Sequence, residues 1–107
     1  MSHNVYLCID TGGKEPVTVF GSDCTSNVSG MWADALGYPL AELDGRTAVD
    51  AIDDLRRAAW RMANNPDKYR AMNPPNGWGN YEGARDYITE ILEACLAHPK
   101  TTIAVSR

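Results

Sequence analysis

The stretch Asn73-Pro74-Pro75-Asn76-Gly77-Trp78-Gly79-Asn80-Tyr81 gathers three asparagines, two prolines, two glycines and two aromatic rings. Each amide side chain presents both a donor and an acceptor. The glycines let the backbone approach another group closely or turn at positive φ, and the prolines stiffen the lead-in. Trp78 and Tyr81 offer flat faces to a ring or a sugar. This is the make-up of a binding surface, with Asn76, Gly77, Trp78 and Tyr81 as its candidate ligand contacts. The competing reading gives Trp78 to the edge of the core and the asparagines to the cap of the following helix.

A second segment, Asp23-Cys24-Thr25-Ser26-Asn27, precedes a helical pattern and places hydroxyls and free backbone N–H groups at a helix start. Such termini attract anions through those donors and the helix dipole. Thr25, Ser26 and Asn27 are therefore candidate contacts for a phosphate or carboxylate. Asp23 adds a negative charge of its own, and Thr25 or Asn27 can serve simply as the cap.

Catalytic constellations are thin. Glu82, Asp86, Glu90 and Glu93 keep helical spacing, the mark of a solvated face. His3 is expected at a mobile terminus and His98 at a helix end, neither with an identifiable carboxylate or nucleophile. The sequence holds no phosphate-binding glycine loop, no His-Glu-x-x-His and no nucleophile elbow, and Gly12-Gly13-Lys14 is too short to count as a P-loop. No catalytic residue, metal ligand or cofactor is assigned. Cys8, Cys24 and Cys95 are odd in number and widely spaced, which argues for reduced, mostly buried thiols and against a zinc site or a disulfide framework.

The elements that must position these segments are legible from periodicity. Val5, Leu7 and Ile9 alternate with Tyr6 and Cys8, as in a strand with one face inward. Asp10 to Lys14 reads as a turn and Val17 to Phe20 as a second strand, which makes a hairpin. Val28, Met31, Trp32, Ala35 and Leu36 fall at helical spacing and end at Gly37, a residue suited to the C′ position. A proline-containing connector, Tyr38 to Asp44, leads to a second helix capped by Thr47, with Val49, Ile52, Leu55, Ala59, Met62 and Ala63 as its buried stripe. Its Asp50, Asp53 and Asp54 precede Arg56, Arg57 and Arg61, an order that suits the dipole and solvated intrahelical pairs. Pro66 to Met72 adds one further turn. The last helix runs from Tyr81 to Ala97 with Ala84, Ile88, Ile91, Leu92 and Cys95 inward, and stops before Pro99. Thr101 to Ser106 alternates as a strand with Ile103 and Val105 inward. The expected fold is one α+β domain over residues 1–107, a small antiparallel three-stranded sheet packed with about three helices in the order β-β-α-α-α-β.

A chain of 107 residues fits a single core. It is 44% hydrophobic and 22% charged, unlike a disordered chain. The net charge of -4 and pI near 5.0 argue against a nucleic-acid partner, which calls for a basic patch. The start, Met1-Ser2-His3-Asn4, is not a basic n-region, and the apolar run from Val5 to Ile9 is far shorter than the ~20 residues of a membrane span. The expectation is a cytoplasmic protein without a membrane partner.

The segments Thr25-Ser26-Asn27-Val28 and Asn73-Pro74-Pro75-Asn76-Gly77-Trp78-Gly79, the latter with Tyr81-Glu82, resemble those of a family of small uncharacterised bacterial and bacteriophage proteins. That family is similar over most of the chain: a Thr-His-Asn-like motif precedes a helix, an Asn-Pro-x-Asn-Gly-Trp-Gly-x-Tyr-Glu motif opens the last helix, and a terminal strand ends near Ser-Arg. Ser26 stands where the family has histidine, which removes an acid or base from the first motif. The resemblance names no activity. It implies a phage or prophage setting, in which small proteins serve as virion parts, host modulators or sequesterers of nucleotide signals.

Three function classes are thus carried forward. The first is a non-enzymatic protein for a small polar ligand, nucleotide-like in one version, held between Thr25 to Asn27 and the loop at Asn76 to Tyr81. The second is a structural or protein-interaction module, including a homo-oligomer, that uses the same loop as an interface. A small hydrolase or transferase using Asp23, Glu82 or His98 ranks last, for want of a matched acid, base and nucleophile.

Overall fold

In a computed structural model, which describes residues 2–9 and 17–106, strand β1 (Ser2–Ile9) pairs antiparallel with β2 (Val17–Thr25) from Ser2↔Thr25 to Ile9↔Val17. The turn expected over Asp10 to Lys14 lies outside the described residues. β1 also pairs antiparallel with the C-terminal strand β3 (Thr102–Ser106), so the sheet order is β2-β1-β3. Both N-terminal strands outrun their expected lengths. β2 continues to Thr25, and its last residues carry the second candidate segment along the sheet edge instead of in a free loop.

Val5 and Leu7 are buried as their alternation requires, whereas Ile9 is exposed. A register shift falls between Leu7 and Cys8, and β3 pairing ends at Cys8↔Thr102, so Ile9 runs past the covered part of the sheet. Ile103 is buried and Val105 half-buried. The inward phase of β1 extends back to His3, which is buried at 7% exposure and not at a loose terminus.

Of helices α1 (Ser29–Leu36), α2 (Ala48–Asn64), the short α3 (Pro66–Arg70) and α4 (Tyr81–Ala97), α4 packs on β2 and β1, and α2 packs in turn on α4 and α1. α1 buries the expected Met31, Trp32, Ala35 and Leu36, and ends at Gly37, whose φ of 90° places its N–H on Ala33 O at 2.8 Å. The connector contains a 3-10 turn, Leu40–Leu43, that buries Leu40 and Leu43.

α2 is rotated from the expected stripe: Ala48, Ala51, Leu55, Ala58 and Met62 are buried, while Val49 and Ala63 are exposed and Ile52 and Ala59 only half-buried. α2 lies between α1 and α4, and alanines let helix backbones approach where larger side chains could not. Thr47 precedes the helix without a side-chain cap bond. One of the expected intrahelical pairs forms, between Arg57 and Asp54, while Arg46, which lies between the connector and α2, takes Asp50 and Asp54, both at 3.1 Å. Arg57 bonds Asp54 at 3.4 Å and donates to Leu36 O at 2.8 Å, and Arg61 donates to Ala35 O at 3.2 Å. These two arginines thereby satisfy carbonyls at the end of α1.

α4 buries Tyr81, Ala84, Tyr87, Ile88, Ile91, Ala94 and Cys95, with Leu92 at the margin. Residues 44–48 run along the free side of β3. Gly45 N–H donates to Ile103 O, Ile103 N–H to Arg46 O, and Val105 N–H to Asp44 Oδ1, each at 2.8 Å, and Thr47 bridges Thr102. No helix among the described residues is long and apolar enough to cross a membrane.

Candidate functional site

Three asparagines build the 73–81 loop, each in a different way. Asn73 Oδ1 accepts from Tyr81 N–H at 2.8 Å and ties the two ends of the loop together. Asn80 Oδ1 accepts from Gly83 N–H at 2.8 Å, which caps α4. Asn76 Oδ1 accepts from Trp78 N–H at 2.9 Å, an Asx turn that fixes the loop tip. Gly77 and Gly79 take φ of 74° and 99°, a region that other residues enter only at a cost.

Gly79 is the point of closest approach to the second segment. A Cβ placed there would stand 2.5 Å from Thr25 Cγ2 and 3.0 Å from Val28 Cγ1. Only glycine lets the loop close over the start of the helical region at this distance. The closure leaves a groove of about 670 Å³ lined by Ser2, Asp23, Thr25, Asn27, Asn76 and Trp78. Residues from both sequence segments thus share one concavity.

Trp78 is 68% exposed, so its ring is not a core residue. Tyr81 is 1% exposed and its ring lies nearly parallel to that of Tyr69 at 6.3 Å. Its hydroxyl donates to Met62 O. Tyr81 therefore presents no face to a ligand, because as the first residue of α4 it takes the buried helical phase of Ala84 and Ile88. Gly77 is exposed but is not among the groove-lining residues.

The helix start is also used differently from the sequence expectation. Thr25 Oγ1 accepts from the Asn27 backbone N–H at 3.4 Å and from Asn27 Nδ2 at 3.1 Å, so the hydroxyl caps the 3-10 turn Ser26–Val28. Ser26 turns away from the groove, and its Oγ pairs with His3 Nδ1 at 2.7 Å. With one donor occupied and the Asp23 carboxylate on the rim, this groove does not favour an anion. It offers an indole face, the Asp23 carboxylate, the Asn27 carbonyl oxygen and the Asn76 amide nitrogen. Neither of the last two atoms has a protein partner among the described residues.

The His3–Ser26 pair escaped the sequence reading. Its signal was period-two spacing, since His3 shares a face with Val5 and Leu7. The imidazole meets the Trp32 ring edge-on at 5.3 Å, and Trp32 lies 5.3 Å from Tyr87. Tyr87 OH in turn shares its one proton between His3 O and Ser22 O at 3.0 and 3.2 Å, and burial pushes its phenol well above the ordinary value. This network joins the hairpin to α4.

Among the described residues no group of three or more His, Cys, Asp or Glu could hold a metal ion. Cys8, Cys24 and Cys95 are free thiols. Only Cys95 is fully buried, and burial pushes it up to about 11. Compared with family models, curated proteins and solved structures, the chain matches none.

Proposed function

We propose that this protein is a non-enzymatic binder of a small polar ligand built on a flat heterocycle, the nucleoside part of a nucleotide-like molecule. The observation that carries this reading is the shared groove, in which the exposed Trp78 ring stands with Asp23, Asn27 and Asn76. An indole face stacks any base, a contact that contributes about 1–3 kcal/mol. The carboxylate accepts from amino, imino or ribose hydroxyl donors, and the two amides supply one acceptor and one donor pair. A phosphate end would have to point away from Asp23, since like charges repel. In the phage setting implied by the family resemblance, such a protein would sequester a nucleotide-like signal in the host cytosol.

Isothermal titration against nucleosides, nucleotides and cyclic nucleotides tests the reading. Trp78→Ala is expected to weaken binding at least about ten-fold while leaving unfolding stability within about 0.5 kcal/mol of wild type. Absence of binding across the whole panel would remove the proposal.

A further inference from the structure

The outward face of α2 carries a pattern unrelated to the groove. Val49, Asp53, Arg56 and Trp60 follow one another at spacings of four, three and four residues, so they form a single stripe about 16 Å long. All four are exposed, Val49 at 57% and Trp60 at 65%. A tryptophan and a valine in such positions are poorly placed for a face meant only for water.

Among the described residues the charges between them are unmatched. On the adjoining flank of α2, Asp50 and Asp54 pair with Arg46, Arg57 pairs with Asp54, and Arg61 bonds a backbone carbonyl. Asp53 and Arg56 have no ion pair or side-chain hydrogen bond among the described residues.

The stripe is its own complement when reversed. Val49 and Trp60 lie equally far from its centre, as do Asp53 and Arg56. We infer that two copies of this chain associate through α2 about a two-fold axis, with the helices antiparallel. Val49 of each copy then packs on Trp60 of the other, and Asp53 meets Arg56 twice. The four-three-four spacing is that of a short coiled-coil seam, in which antiparallel helices pair positions in this way. A parallel arrangement would set Asp53 against Asp53 and Arg56 against Arg56, and like-charge contact disfavours it. The contact is isologous and closes on itself, so the assembly stops at two.

Charge reversal tests the register. Wild type is expected to sediment at twice its 11.7 kDa mass. Asp53→Arg and Arg56→Asp, each folded by circular dichroism, should run as monomers, because each chain then carries two like charges on the stripe. Mixed one to one, the two variants should restore a dimer, and so should a single chain carrying both substitutions. Trp60→Ala should weaken association at least about ten-fold. A monomeric wild type at about 1 mM, a single variant that stays dimeric, or a mixture that stays monomeric would overturn the inference.

Discussion

Trp78 and Tyr81 belong to one nine-residue loop and stand three positions apart, yet one ring faces solvent across a groove and the other is sealed against Tyr69 and Met62. The division falls at Asn80. Its side chain caps α4, so Tyr81 enters helical phase and shares the stripe of Ala84, Ile88, Ile91 and Cys95. Trp78 lies upstream of that cap, where the Asx turn at Asn76 and the left-handed glycines set the direction of the chain. A short aromatic motif can thus divide into an anchor and a free face, and the cap residue marks where.

Substitutions can break this division. The largest effect is expected for Tyr81→Ala, which should lower unfolding free energy by about 3–5 kcal/mol as a buried aromatic is truncated. Urea unfolding of the purified variant measures it. A loss as small as that of Trp78→Ala would mean the two ends of the loop are not distinct.

Next comes Gly79→Ala, expected to cost about 3 kcal/mol: about 1 from the left-handed backbone and about 2 from the clash with Thr25 and Val28. Gly77→Ala, with nothing within 4 Å of an added Cβ, should cost about 1 kcal/mol. Combining Gly79→Ala with Thr25→Ser removes the methyl group in the way. Recovery of at least about 1 kcal/mol in that double-mutant cycle would locate the closure at this contact.

The smallest effect concerns the ring beneath Tyr81. Tyr69 OH donates to Asp34 Oδ2 at 2.8 Å, and burial followed by that carboxylate pushes the phenol up to about 12. Its folded value lies above the ordinary one near 10, so its contribution is complete below pH 10 and is lost as pH rises toward 12. Tyr69→Phe should cost about 1 kcal/mol at neutral pH and flatten stability over that alkaline interval, as followed by denaturant titration at each pH.

Much of the fold was legible because its periods are clean. The α1 stripe, the N-terminal hairpin and the C-terminal strand follow directly from spacing and from Gly37 and Pro99. The phase of α2 was not legible, because hydrophobicity favours Val49 and Ile52 over Ala48, Ala51 and Ala58, and only the tight neighbours α1 and α4 reverse that order. The larger residues displaced from the core are part of what leaves an apolar stripe outside. In the site, the meeting of Thr25 with the loop depends on a contact across 54 residues, and no local pattern encodes it. Tyr81 was misplaced because loop composition and helix phase make opposite demands on one residue, and the helix prevailed. His3 was missed because its strand begins earlier than the first run of apolar residues.

The segment 44–48 that lies along β3 has a consequence for how copies of this chain can meet. Main-chain groups of β3 that would accept another strand are already engaged by Gly45, Arg46 and Asp44, while β2 pairs on one side only among the described residues. A sheet with one sealed margin can be extended from the other margin alone. Two molecules joined there would present sealed margins at both ends, so growth into a continuous cross-strand ribbon halts after a single addition.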